Sequence, residues 1–183
     1  LVLSSPFPIT KRSFIRKVFR DLTGITGAKR YWGSLSSIFR TKGDNVFNKI
    51  SKTSNKLHGF LISNLIIFIL ISTTMHWSLF LLLWWLPSFT YYSLIIRIRN
   101  ISEHAVTPGN NDFDNTRTTK STVLTRFLMV PHNVNYHLEH HLFTRCPWYN
   151  LPKAHSMMIE NGYEDKMCLE TSYKKVLSKA VSA

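Results

Sequence analysis

The dominant feature of the hydropathy pattern is an apolar block over residues 59–96 that holds no Asp, Glu, Lys or Arg. A short join, Met75-His76-Trp77-Ser78, divides it into two arms, Leu57–Met75 and Trp77–Ile96. As helices the arms extend roughly 28–30 Å each, about the thickness of a bilayer's hydrocarbon core. The join is too short for a domain, so the pattern predicts a tight antiparallel transmembrane hairpin over 57–96. Pro87 lacks a backbone N–H and crowds the preceding turn, which predicts a kink in the second arm. Trp77, Tyr91 and Tyr92 supply interface-type aromatics, and Trp84 and Trp85 fall at depth. The alternative is a buried helical pair in a soluble protein, against which the length of the uncharged run argues.

Ahead of the hairpin, Ser13–Leu22 has the helical period. Phe14, Ile15, Val18, Phe19 and Leu22 share one face, and Arg16, Lys17 and Arg20 carry the charge. Pro8 precedes this helix and Gly24 is placed to end it. It either lies in the headgroup layer with its cations over anionic lipid or covers a soluble core. Beyond the hairpin, residues 107–122 have loop composition, with Pro108, Gly109, Asn110, Asn111, Asp112 and Asp114. A second ordered stretch runs from Val123 through Leu142. The tail beyond Pro152 is read as helical, with Tyr173, Val176 and Leu177 at its apolar positions. The expected architecture is all-α and multi-pass, a single domain over 1–183. It comprises a basic interfacial segment (1–56), the hairpin (57–96) and a cytosolic helical cap (97–183).

Charge sharpens this picture. The chain has a net charge of +13 and a pI near 10.0, which calls for an anionic partner. Up to His58 there are 12 Lys/Arg against Asp21 and Asp44, while from Arg97 onward 11 basic residues face 8 acidic ones. A charge-free block with basic flanks is a membrane pattern before it is a nucleic-acid pattern, so the bilayer is the expected partner and nucleic acid is not. Lys49, Lys52 and Lys56 on one flank and Arg97 and Arg99 on the other place both termini in the cytoplasm and the His76 turn across the membrane. Cys146 and Cys168 have no metal-type spacing and are read as reduced. No signal peptide is visible, since Leu1 opens into Ser4-Ser5 and a Pro-rich turn.

The string with chemistry in it is Asn133-Val134-Asn135-Tyr136-His137-Leu138-Glu139-His140-His141-Leu142. On a helix, His137, His140 and His141 fall within one arc of about 100°. Imidazoles on one face suit Zn, Cu, Fe or Ni and do not suit Mg or Ca. A solvated His-rich helix is the chemically silent alternative. Glu103 and Glu139 could orient imidazole N–H groups as acceptors. His76 belongs to the far turn, His58 opens a lipid-spanning helix, and His132 is turned off the ligand face. His155, after Pro152, suits a packing or substrate-tunnel position.

His137–His141 resembles the third histidine box of the membrane fatty acid desaturase family. Arg97–Ala105 upstream and Pro147-Trp148-Tyr149-Asn150-Leu151-Pro152 downstream are similar to that box's surroundings, and Pro6–Ile9 and Asp21–Gly24 resemble the stretch after the second box in bacterial-type members. The resemblance covers residues 6 to 155. It implies two irons held by box histidines plus one further histidine, which matches His104, with Asn100 contacting a metal through water. It also implies dioxygen as co-substrate, a fatty acyl chain (on CoA, lipid or acyl carrier protein) that gains a double bond, and electrons from cytochrome b5 or a ferredoxin. The membrane would be the endoplasmic reticulum or a bacterial inner membrane. A di-iron hydroxylase of acyl chains, alkanes or carotenoids, and a non-catalytic metal-binding membrane protein, are the rival readings. The first and second boxes are missing, so the chain is expected to be a C-terminal portion, binding at most one loosely held metal and inactive alone.

Overall fold

The computed structural model describes residues 7–39, 45–109 and 111–182. Leu1–Pro6 of the opening, and Asn110 of the expected loop, lie outside the described residues. The chain is mostly helical, with two candidate membrane spans, Leu57–Thr74 and Ser78–His104. By compactness it falls into two units: residues 17–94, and residues 1–16 with 95–183.

The first unit contains most of the apolar block. Helix α1 (Lys11–Leu22), the expected amphipathic helix, begins outside it and runs into it; Gly24, at φ +80°, follows the helix's end. Helix α2 (Ile25–Phe39) comes next, an element the sequence pattern did not single out. Helix α3 (Val46–Thr74) then includes the whole first span. The second span opens as α4 (Ser78–Phe80), widens into a π-helical turn at Leu81–Trp85, and continues as α5 (Leu86–Phe89) and α6 (Tyr91–His104). The kink expected from Pro87 is thus distributed. The proline ring presses on the carbonyl four residues earlier, at Leu83, and a π turn takes up that crowding. A second irregularity follows at Thr90, whose ψ of −84° departs from the helix.

Polar contacts stitch this unit. Trp84 Nε1 donates to Asn64 Oδ1 at 3.0 Å, linking the two candidate spans. Arg30 Nη2 donates to the Ser88 carbonyl at 2.8 Å, beside the Thr90 break, while its guanidinium lies 4.8 Å from the centre of the Tyr92 ring. Gly27 lets α2 approach: a Cβ there would sit 2.4 Å from the Phe89 carbonyl oxygen. Most other large side chains of the spans, including Leu61, Ile62, Leu65, Ile66, Leu82 and Leu83, are exposed, as lipid-facing residues are.

The second unit is built around α6 and the segments after it. The stretch expected to be a loop holds a buried two-residue strand, β1 (Thr118–Thr119), paired in parallel with β2 (Leu169–Glu170) and bridged to Tyr136. The fold is therefore helical with a small pairing element rather than purely α. Helices α7 (Val123–Leu128) and α8 (His137–Leu142) replace the single ordered stretch expected over Val123–Leu142. Between them His132 and Asn133 take φ values of +58° and +55°, which no continuous helix allows. Helix α9 (Leu151–Glu160) follows, and α10 (Tyr173–Ala180) closes the unit, packing Ala180 and Leu177 with Ile101, Ala105 and Phe14.

Glu170 ties β2 to α10 through Lys179 and Lys175. Burial alone would raise this carboxyl, but the two ammonium groups and the Thr171 N–H outweigh it and hold the pKa down to about 2. A carboxyl depressed in the folded state adds stability above its ordinary value. That stability is expected to disappear as pH falls from about 4.5 to about 2. Both lysines are half exposed, so screening reduces the contribution to about 1 kcal/mol. Thermal melts across that range should show the decline in the wild type and lose this component in Glu170→Gln.

Candidate metal centre

Helix α6 ends at His104, and that end is held from outside the helix. Arg117, itself buried, donates from Nη2 to the Val106 carbonyl at 2.9 Å and from Nη1 to the Ser102 carbonyl at 3.3 Å. Its backbone N–H donates to the Glu103 carbonyl at 3.0 Å. A guanidinium over the last carbonyls satisfies acceptors that the helix leaves open and opposes the negative end of its dipole.

Helix α8 supplies the other side of the site. Leu138 and Leu142, one and five positions past His137 and so on one side of the helix, pack with Met158, Met167 and Phe113. Glu139 lies nearly opposite His137 on the helical wheel. It is wholly buried and accepts from Thr118 Oγ1 and, at 2.5 Å, from His155 Nδ1. Thr118 Oγ1 also accepts from Leu138 N. With those sectors anchored, His137 and His141 face His104. The Nε2 atoms of His137 and His104 lie 3.0 Å apart, and those of His141 and His137 lie 3.1 Å apart. The three imidazoles form the metal-sized group among the described residues, with donor atoms within 4.8 Å of one another.

This geometry fits a metal. Two nitrogens each about 2.1 Å from one ion, at right angles, stand about 3.0 Å apart. Nitrogen-only donors of this kind suit Fe, Zn, Cu or Ni. The protonation state fits as well. Burial, reinforced by the neighbouring imidazoles of His104, His141 and His140, lowers the His137 pKa to about 3, and burial with His140 lowers that of His141. Neutral rings keep the lone pair that a cation needs. His137 Nδ1 is buried with no hydrogen-bond partner among the described residues, so binding through Nε2 would leave its proton on Nδ1 seeking an acceptor.

The remaining candidates divide. His140 is exposed, as His141 also is, but it lies outside the trio. Asn100 is half buried one turn before His104. Glu103 stands beside the site: Oε2 is 3.8 Å from His137 Nε2, and Oε1 accepts from Arg99 Nε at 3.1 Å. It therefore flanks the converging nitrogen rather than the ring's rear N–H. Glu139 is turned away from all three rings, because its place on the far side of α8 gives it His155 and Thr118 instead. His155 holds that carboxylate, a role missed in the sequence because nothing local marks its partner. Tyr173 was missed too: burial and then the Glu103 carboxylate raise its pKa, which places its hydroxyl in the field of the site. His76 pairs with Ser78 in the hairpin turn, and His132 stacks edge-on against Trp148.

No curated protein and no solved structure matches the chain. The family model described as fatty acid desaturase matches residues 3–169, a range that takes in both spans, α6, β1 and α8. This chain belongs to the fatty acid desaturase family, a family of oxidoreductases.

Proposed function

We propose that the chain supplies part of the metal centre of an oxygen-dependent desaturase acting on a fatty acyl chain. The observation that supports this best is the convergence of His104, His137 and His141 through their Nε2 atoms, in a chain whose two apolar helices are long enough to cross a bilayer. These three would hold one iron. His140, and Asn100 through a water, are assigned to the rest of a di-iron site. Two irons require more donors than these, and the proposal draws the remainder from other histidines of the whole desaturase domain. When bound, iron would supply the activation of dioxygen needed to remove hydrogen from an unactivated carbon chain.

The chain's own residues prepare the place for it. The His137 ring is kept neutral by burial and so does not need to lose a proton before binding. Arg99 holds the Glu103 carboxylate next to the converging nitrogens, where its negative charge offsets that of a cation. Arg117 fixes the end of α6, and the Thr118–Glu139–His155 group fixes α8, so the two histidine-bearing helices keep their spacing. The apolar spans put the site in a protein that lives in its substrate's own phase. In this reading both termini are cytoplasmic, and the electron donor is cytochrome b5, a ferredoxin or a similar carrier.

The test is the product. Acyl chains recovered from membranes containing the active protein should gain a double bond only when dioxygen is supplied, and the purified protein should contain iron. A hydroxylated product would transfer the assignment to an oxygen-inserting relative. Absence of iron alongside stable zinc would remove the oxidase reading altogether.

A further inference from the structure

The surface of the second unit has an apolar side that the metal site does not use. Along α7, Val123, Phe127, Leu124 and Leu128 fall within one continuous arc of about 140°. All four are exposed, Phe127 to 82% and Val123 to 78%. Trp148, also exposed, shares with Val123, Phe127 and Arg126 an open cleft of about 390 Å³. Lys120 and Arg126 are exposed before and within the helix, and Arg145 follows α8. No Asp or Glu occurs from Asn115 through Leu138, nor from Phe143 through Ile159.

We propose that α7 and Trp148 form a membrane-interface foot, with Phe127, Val123 and Leu124 entering the acyl boundary and Lys120 and Arg126 among anionic headgroups. An apolar helical stripe, an indole and cations without carboxylates match the composition of a bilayer interface, where rings sit at headgroup depth and basic side chains meet lipid phosphates. The chain also enters this unit directly from a bilayer-length apolar run, through α6. An aqueous protein surface would leave these rings in water to no purpose, and an acidic protein partner would not account for so large an aliphatic arc. The inference stands apart from the metal reading and holds whichever ion the histidines bind.

The test uses the whole chain in vesicles of phosphatidylcholine and phosphatidylglycerol. Cys146 and Cys168 are replaced by serine, and an environment-sensitive fluorophore is attached to Phe127→Cys, to Val123→Cys or, as an exposed control, to Asn161→Cys. Both α7 positions are so exposed that the cysteine removes little packing. The expected result at each is blue-shifted emission, quenched several-fold more than at Asn161 by nitroxides carried at a shallow position on the lipid and less than at Asn161 by aqueous iodide. Replacing phosphatidylglycerol with neutral lipid should weaken the lipid quenching. Iodide quenching equal to that at Asn161 would show the arc lying in water, and protection from both quenchers would show protein covering it. Either outcome overturns the proposal, and indifference to lipid charge would overturn the role given to Lys120 and Arg126.

Discussion

His137→Ala is expected to lower metal retention by more than about 100-fold, since losing only a supporting residue of a metal site already costs about 10–100-fold. Desaturation should fall with it. His137 stands in the middle of the trio: its Nε2 contacts both of the other nitrogens, so removing it leaves His104 and His141 without a shared third donor. His104→Ala and His141→Ala should each weaken retention in the same direction. His140→Ala should leave the trio's metal in place, because that ring lies outside the group, even where it reduces turnover or loosens metal held elsewhere in the site. His76→Ala, in the hairpin turn, provides the variant matched for membrane insertion. The measurements are metal content after washing with a chelator and acyl products from the same membranes. Wild-type metal content in His137→Ala would disprove the assignment of this trio.

The contrast between His140 and its neighbours shows where sequence reasoning reached its limit. Helical period places His137, His140 and His141 within one arc, and it cannot say which of them turn toward His104. That depends on Leu138 and Leu142 finding Met158 and Met167, and on Glu139 finding His155, contacts made with residues well along the chain. His104 was legible only through its resemblance to a family pattern, since a lone histidine at a helix end has no local signature. The candidate spans were legible because a lipid solvent would dictate composition over a long run; both arms lie within helical stretches, although α3 begins earlier, at Val46, and the second continues to His104. Pro87 announced an irregularity, though its effect surfaces upstream as a π turn because the clash falls on the preceding carbonyls. The segment around β1 was illegible for the opposite reason. Thr116, Arg117, Thr118 and Thr119 have the polarity of a loop, yet all are buried, because pairing with Leu169–Glu170 and Tyr136 and capping of α6 satisfy polar groups of this segment. Pairing between segments this far apart leaves no periodicity in either one.

His155→Leu is expected to destabilise the second unit by about 2–3 kcal/mol, the cost of leaving a buried charged acceptor short of a donor. Glu139 is wholly buried, and its two oxygens are taken by His155 Nδ1 and Thr118 Oγ1, which brace α8 from α9 and β1. Without the imidazole, Oε1 loses its partner in a place water does not readily reach. If the cost is that of an unsatisfied acceptor, replacing both members should recover part of it. Glu139→Leu with His155→Leu should therefore be more stable than the sum of the single variants, with a coupling of about 1–3 kcal/mol. Thermal melts of all four proteins give that cycle directly. A second measurement separates support of the site from support of the fold. Well below the melting temperature, His155→Leu should still retain metal about 10-fold less well, because α8 presents both His137 and His141 and its loosened brace lets their nitrogens drift from His104. Melting unchanged from the wild type would show that Glu139 does not depend on His155, and lower stability with undiminished metal retention would confine this pair to holding the fold.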